Sequence, residues 1–340
     1  VKLAVVLFNL GGPDSIEAVR PFLRNLFADP AIIRLPSILR YPLARFIAAR
    51  RAGVARGMYE RIGGRSPLLA ETEAQALALT ALLAKDGTAA RCFIAMRHWH
   101  PFTVEAAMAV KAWAPDRIVL LPLYPQYSTT TTASAFDEWN RAARKIHLST
   151  PQTQICCYPW EQGFIAAEAQ LVVGALKRRK PGLAYRVLFS AHGLPKRIVD
   201  KGDPYQWQVE KTVDAILRQL AEPIDWQVCY QSRVGPLEWI GPPTDEEIRR
   251  TGKEGKGVIV VPIAFVSEHS ETLVELDLDY GEHLVREARV PDYIRVSTVR
   301  THLRFIEGLA RLVIAASQSA SVTCAKTRIC PAPMCCGFLP

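Results

Sequence analysis

Short apolar runs alternate along the chain with longer stretches of helical periodicity. The runs at residues 3–9, 91–96, 117–123, 154–158, 186–191, 226–231, 257–263 and 293–298 predict strands. Residues 67–84, 104–113, 162–180 and 204–221 carry helix-like patterns between them. Such alternation builds α/β units with parallel sheets. Eight strands suit either one barrel or two four-stranded halves. A polar, proline-containing break at residues 147–151 offers a seam, and both halves open on a strand that ends in a turn of small and polar residues: Asn9 to Pro13, and Ser190 to Pro195. The pattern therefore predicts two similar doubly wound α/β domains, each with a four-stranded parallel sheet, over 1–150 and 151–318, with a cleft between them. A cysteine-rich tail over 319–340 follows.

One stretch breaks the usual amphipathic scheme. After the apolar run 258–263, Leu273, Leu276, Tyr280 and Leu284 share one face of a helix that Ser267 is placed to cap. Glu271, Glu275 and Asp279 recur every four residues on another face. From Ser267 to His283 there are six acids and no lysine or arginine, so like charges repel unless a cation shares them. Oxygen ligands in this arrangement suit a divalent cation, and His269 adds a nitrogen donor that suits iron or zinc. The competing reading is a solvated acidic face behind a buried strand.

Charge sharpens the contrast, because the formal net charge of the whole chain is +9. Much of the surplus lies in residues 31–65, where eight arginines, Arg51 among them, alternate with Leu39, Leu43, Phe46 and other apolar residues, against the single acid Glu60. Cationic and apolar together predict a membrane-surface lip or a seat for a greasy anion rather than a nucleic-acid face. No apolar run is long enough to span a bilayer, and the opening run 1–10 is expected to be a strand and not a leader. There is no GxGxxG and no GxxxxGKS. Of eight cysteines, Cys92 and Cys229 fall inside predicted strands, Cys156 and Cys157 are adjacent, and Cys324, Cys330, Cys335 and Cys336 crowd the tail. This spacing does not suggest a secreted disulfide scaffold.

In open α/β sheets, ligands sit at the carboxyl ends of strands. Asn9, Gly11 and Gly12 fall there, as do Arg97 to His100, Tyr124 to Ser128, Ser190, His192 and Gln231-Ser232. The small residues around His192 leave room for a large ligand.

Eight segments together resemble one family, the ferrochelatases: FNLGGPDS (8–15), RIGGRSPL (61–68), AMRHWHPFT (95–103), LPLYPQYSTTT (121–131), LFSAHGLP (188–195), GDPY (202–205), CYQSRVGPLEWIGPPTDE (229–246) and VVPIAFVSEHSETLVELD (260–277). The resemblance implies a lyase that inserts Fe²⁺ into protoporphyrin IX to make protohaem. It places His192 and Glu271 as catalytic residues and metal ligands on opposite sides of the macrocycle. Glu275, Asp279 and His269 continue the metal track along a partly π-type helix. Arg97, His98, Leu10, Tyr59, Ser66, Arg51 and Trp239 fall to the porphyrin. Many relatives have Tyr where this chain has His98, so a phenol role there is not carried over. The tail cysteines resemble those of [2Fe–2S]-containing relatives, with Cys324, Cys330 and Cys335 or Cys336 as ligands. In animal relatives the internal ligand follows YPQYS, a position held here by Thr129. Side chains alternate across a strand, so only one of Cys156 and Cys157 is expected to reach the tail, and Cys157 is the expected donor. A structural zinc is the alternative.

The resemblance further implies a homodimer, cytoplasmic and peripherally attached to the inner membrane, with porphyrin and ferrous iron as its partners and no nucleic acid. A coproporphyrin ferrochelatase, a non-catalytic porphyrin or haem carrier of the same fold, and a cobalt chelatase are the competing functions.

Overall fold

The computed structural model describes residues 1–85, 87, 89–233, 235–319 and 330. They form two compact units, Val1–Cys157 with residues 309–319, and Tyr158–Gly308 with Cys330. In the first, β1 (Lys2–Asn9) leads through α1 (Val19–Phe27), α2 (Ser37–Glu60) and α3 (Leu68–Lys85) to β2 (Ala89–Met96). Then come α4 (Thr103–Trp113), β3 (Arg117–Pro122), α5 (Thr132–Lys145) and β4 (Gln152–Gln154). The second unit runs α6 (Gln162–Leu176), β5 (Tyr185–His192), α7 (Lys196–Val199), α8 (Tyr205–Leu217), β6 (Asp225–Gln231), α9 (Thr244–Lys253) and β7 (Gly257–Pro262). A π helix (Glu271–Leu284), α10 (Val285–Glu287) and β8 (Tyr293–Arg295) complete it. The last helix, α11 (Leu303–Ser317), begins in the second unit and ends in the first.

Both sheets are parallel, in the orders β2-β1-β3-β4 and β6-β5-β7-β8. The two topologies are the same, and neither closes into a barrel. β1 is buried from Leu3 to Asn9 because helices lie against it. Ala4, Val6 and Phe8 join α4 and α5 in one core, where the Phe8 ring meets Phe136 and Trp139 edge-on at 5.5 and 5.9 Å. In the second unit Leu188, Cys229, Val258 and Val260 pack beneath Leu276 and Leu284 of the π helix. In each unit strand order reverses beside the first strand, and its carboxyl end is the switch point where such sheets bind ligands.

Two local expectations are corrected. The fourth strand ends at Gln154, not at residue 158, because its partner β3 ends at Pro122, which has no N–H to extend the ladder. Strand alternation therefore does not govern Cys156 and Cys157, and their sulfurs lie 3.3 Å apart instead of on opposite faces. The acidic helix starts at Glu271 and is not capped by Ser267, while its π type agrees with what the resemblance implies. It is fourteen residues of π helix, and Val285 N–H bonds Tyr280 O five residues back. Thr272 secures its start: its hydroxyl donates to His269 O (3.0 Å) and accepts from His269 N–H (3.0 Å).

Candidate active site

β5 and β7 are hydrogen-bonded neighbours, in register from Tyr185↔Gly257 to Ser190↔Pro262. His192, at the end of β5, and the segment after β7 therefore leave the sheet from the same edge. His192 Nδ1–H donates to Gly193 O (2.5 Å), which turns Nε2 toward Glu271 Oε1 at 3.5 Å. His269 Nε2 lies 3.7 Å from the other oxygen, Glu271 Oε2. One carboxylate thus sits between two imidazoles.

The electrostatics follow from that arrangement. Burial opposes a charge on His192, but Glu271, the Gly193 carbonyl and Glu275 outweigh it and raise its pKa to about 9. Burial likewise opposes ionised Glu271, yet the His192 cation holds it down at about 2. At neutral pH the two are an ion pair. His269 is different: burial holds its pKa below the ordinary value, so its ring is neutral. Its Nδ1 has no hydrogen-bond partner among the described residues.

Glu275 continues the acidic row. Its Oε1 accepts from Ser232 N–H (2.8 Å) and Tyr280 O–H (2.8 Å), and its Oε2 accepts from the Ser232 hydroxyl and from Gln231 Nε2 (3.3 Å). Burial first, and the charge of Glu271 with it, push its pKa up against these donors. Glu275 and Asp279 also line a cavity of about 520 Å³ in the second unit, walled by Gln231, Ser232, Trp239 and Tyr280. Trp239 presses on Gly193, where an added Cβ would meet its ring at 3.2 Å, and its indole N–H is unpartnered among the described residues. The acidic stretch is therefore not a solvated face. Asp277 accepts both arms of Arg295 at 2.8 Å, and Glu268 accepts Arg295 Nη1 at 2.7 Å.

In the first unit, Arg97 follows β2 and its guanidinium is fixed at three points. Nη2 meets Asp29 Oδ2 at 2.9 Å, Nε donates to Ser134 Oγ (2.8 Å), and Nη1 is 3.9 Å from Glu138. His98, 3.8 Å from Asp29, is 1% exposed, and burial beside Arg97 drives its pKa down to about 3 despite Asp29. It is a neutral ring behind Arg97. Leu10 O accepts the His98 N–H (2.9 Å). Ser66 closes over Gly12, where an added Cβ would lie 2.4 Å from its hydroxyl oxygen. Tyr59 is buried among Val19, Phe22 and Ala48. Arg51 is exposed, with its guanidinium 5.9 Å from the Phe27 ring centre. On α2, Ala44, Ala48 and Ala52 face inward, while Ile38 (79%), Leu39 (58%) and Phe46 (61%) are exposed beside exposed Arg34, Arg45 and Arg50.

Cys156 and Cys157 are buried against Tyr127, and Cys156 is disulfide-bonded. Cys330 Sγ accepts from Gln208 Nε2 at 3.2 Å. Cys324, Cys335 and Cys336 lie outside the described residues. Sequence reasoning missed Asp29, Ser134 and Arg295. Asp29 and Arg295 carried a faint signal, an acid among arginines and an arginine on the strand beside an acidic helix.

Two parallel α/β units and a histidine–carboxylate centre at a strand switch point describe a metal-chelatase architecture. SirB from Bacillus subtilis with Fe³⁺ shares this fold, with a TM-score of 0.53 over 94% of this chain and 96% of that one at 13% identity. The sirohydrochlorin chelatase SirB from Bacillus subtilis subspecies spizizenii in complex with cobalt matches at 0.51, covering 93% and 96%, also at 13% identity. The ferrochelatase family model matches residues 2–317. The ferrochelatase of Caulobacter vibrioides is 56% identical over 314 residues, covering 92% of this chain and 89% of that protein. That of Phenylobacterium zucineum is 53% identical over 334 residues, covering 98% and 96%. The chain belongs to the ferrochelatase family, the lyases that insert iron in haem synthesis.

Proposed function

We propose that this chain inserts Fe²⁺ into protoporphyrin IX, with His192 and Glu271 as its catalytic pair. The observation that carries the reading is the 3.5 Å approach of His192 Nε2 to Glu271 Oε1. A free-base porphyrin must release two N–H protons as the metal enters. Before iron arrives, Glu271 holds His192 protonated. A cation at Glu271 takes up that carboxylate's charge, so His192 loses its proton and becomes a base for a pyrrole N–H. Iron is the substrate of this reaction and not a resident cofactor. Neutral His269 is a further donor for it, and Glu275 and Asp279 lead to it from the cavity that they line.

Arg97, Arg51, Leu10, Ser66 and Trp239 are assigned to porphyrin contact, and buried His98 and Tyr59 to the support behind such contacts. The exposed apolar and arginine face of α2 supports reversible attachment to the cytoplasmic face of an anionic membrane. No helix among the described residues is long and apolar enough to cross one. The tail supports a [2Fe–2S] cluster, which needs four thiolates and would contribute to folding and not to the insertion step. The sulfurs of Cys156 and Cys157 lie 3.3 Å apart, so Cys156 competes with Cys157 for the internal ligand position. A homodimer completes the reading.

The test is turnover: ferrous iron or zinc insertion followed by absorbance, with protoporphyrin and coproporphyrin compared. A strong preference for coproporphyrin, or no turnover with either, would overturn it.

A further inference from the structure

A π helix of fourteen residues is unusual, since the π form appears mostly as single-turn bulges. Something outside the helix must favour this register, and the contacts that do so come from two strands. Tyr293 of β8 donates its hydroxyl to Leu276 O (2.7 Å), and its ring packs on Gly281, where an added Cβ would meet it at 3.0 Å. Gln231 of β6 donates to Glu271 O (2.9 Å). The strongest contact is a single guanidinium. Arg295 grips Asp277 with Nε and Nη2, both at 2.8 Å, and Glu268 with Nη1 at 2.7 Å. Glu268 Oε1 also accepts Thr298 N–H (3.0 Å). The three side chains are 15%, 32% and 9% exposed.

We propose that Arg295 is a positioning residue for metal insertion. It bridges Glu268, just ahead of the π helix, to Asp277 in its middle, and so fixes the span that carries His269, Glu271 and Glu275. The assignment rests on the reading that Glu271 and His192 perform the chemistry. Planar, bidentate geometry makes the clamp specific: a lysine places one point charge and cannot hold both carboxylates in the same way. Freed from the clamp, residues 271–284 lose the strongest of the contacts that favour the π register and keep only those of Tyr293 and Gln231. Glu271 then samples positions away from His192, and small misplacements of a reacting group cost rate.

The test compares R295Q, R295K and D277N with wild type in steady-state zinc insertion into protoporphyrin, together with amide hydrogen exchange over residues 271–284. R295Q is expected to lose at least tenfold in kcat while the KM for porphyrin stays within about twofold, and its π-helix amides exchange at least tenfold faster. R295K recovers only part of kcat. D277N, which keeps the bond to Glu268, loses less, and R295Q/D277N is no worse than R295Q alone. R186Q serves as the control for loss of an ion cluster. Arg186, at the far end of β5, pairs with Asp225 and Glu254, and its loss should lower stability with kcat unchanged. Wild-type kcat in R295Q, or a kcat loss in R186Q equal to that of R295Q, overturns the assignment. If R295Q does not fold, wild-type kcat and exchange in D277N overturn it. An inactive E271Q beside a fully active R295Q sinks only the clamp, whereas an active E271Q sinks the catalytic reading itself.

Discussion

His192 and Glu271 stand 3.5 Å apart, nitrogen to oxygen, although they lie 79 positions apart in sequence. Each shifts the other's titration: the imidazole holds its proton to about pH 9, and the carboxyl stays ionised down to about pH 2. H192A is expected to abolish metal insertion and leave porphyrin affinity within about tenfold, because the group handles protons and metal, not ring affinity. E271Q should also stop turnover. Insertion by H192A at near wild-type rate would end the assignment, and porphyrin titration by fluorescence checks the affinity.

The same pair gives stability a pH window. His192 is raised from its ordinary 6.5, so its contribution is complete below 6.5 and lost as pH rises through about 9. Glu271 is lowered from 4.5, so its contribution is complete above 4.5 and lost as pH falls through about 2. Urea unfolding of wild type and H192A should therefore differ most between about pH 4.5 and 6.5 and converge toward pH 9.5. A difference that grows in alkali would contradict the ion pair.

Glu168 on α6 has the opposite signature. It is 1% exposed, neither oxygen is hydrogen-bonded among the described residues, and burial pushes its pKa well above 4.5. The unfolded chain releases this proton near 4.5 and the folded chain keeps it, so Glu168 costs about 1.4 kcal/mol of stability per pH unit above that value until the buried carboxyl ionises. E168L should be more stable than wild type at pH 8 and lack this slope. An E168L that keeps the wild-type pH dependence would show that the carboxyl has partners.

The exposed face of α2 predicts membrane contact. I38S/L39S/F46S should reduce flotation with anionic vesicles and raise the apparent KM for vesicle-borne porphyrin. Stability should change by no more than about 0.5 kcal/mol per site, because all three side chains are exposed. Basic residues near an anionic surface contribute about 1 kcal/mol each, so binding should also weaken with salt. Unchanged flotation would remove the attachment.

For the cluster, C156S and C157S are compared by visible absorption and by iron and sulfide content. Loss in one variant only assigns the internal ligand. A wild-type protein that contains zinc and no sulfide removes the cluster. Loss of the cluster should lower Tm before it lowers kcat.

The alternation of apolar runs with helical stretches was enough to predict eight strands in two four-stranded parallel sheets, because burial on both faces leaves apolar runs without polar alternation at β1, β5 and β7. The acidic row from Glu271 to Asp279 and the small residues beside His192 were legible for a similar reason: spacing and charge are local properties. Other features depended on partners far along the chain. The π register needs Tyr293, Arg295 and Gln231 to hold it, and α and π helices share the same apolar and acidic residues, so no window of sequence separates them. The side-by-side sulfurs of Cys156 and Cys157 depend on where the ladder with β3 stops. The ionisation of His192 and Glu271 was decided only by the tertiary structure, since burial opposes charge on each and it is chiefly their mutual approach, from the end of β5 and the start of the π helix, that overrides it.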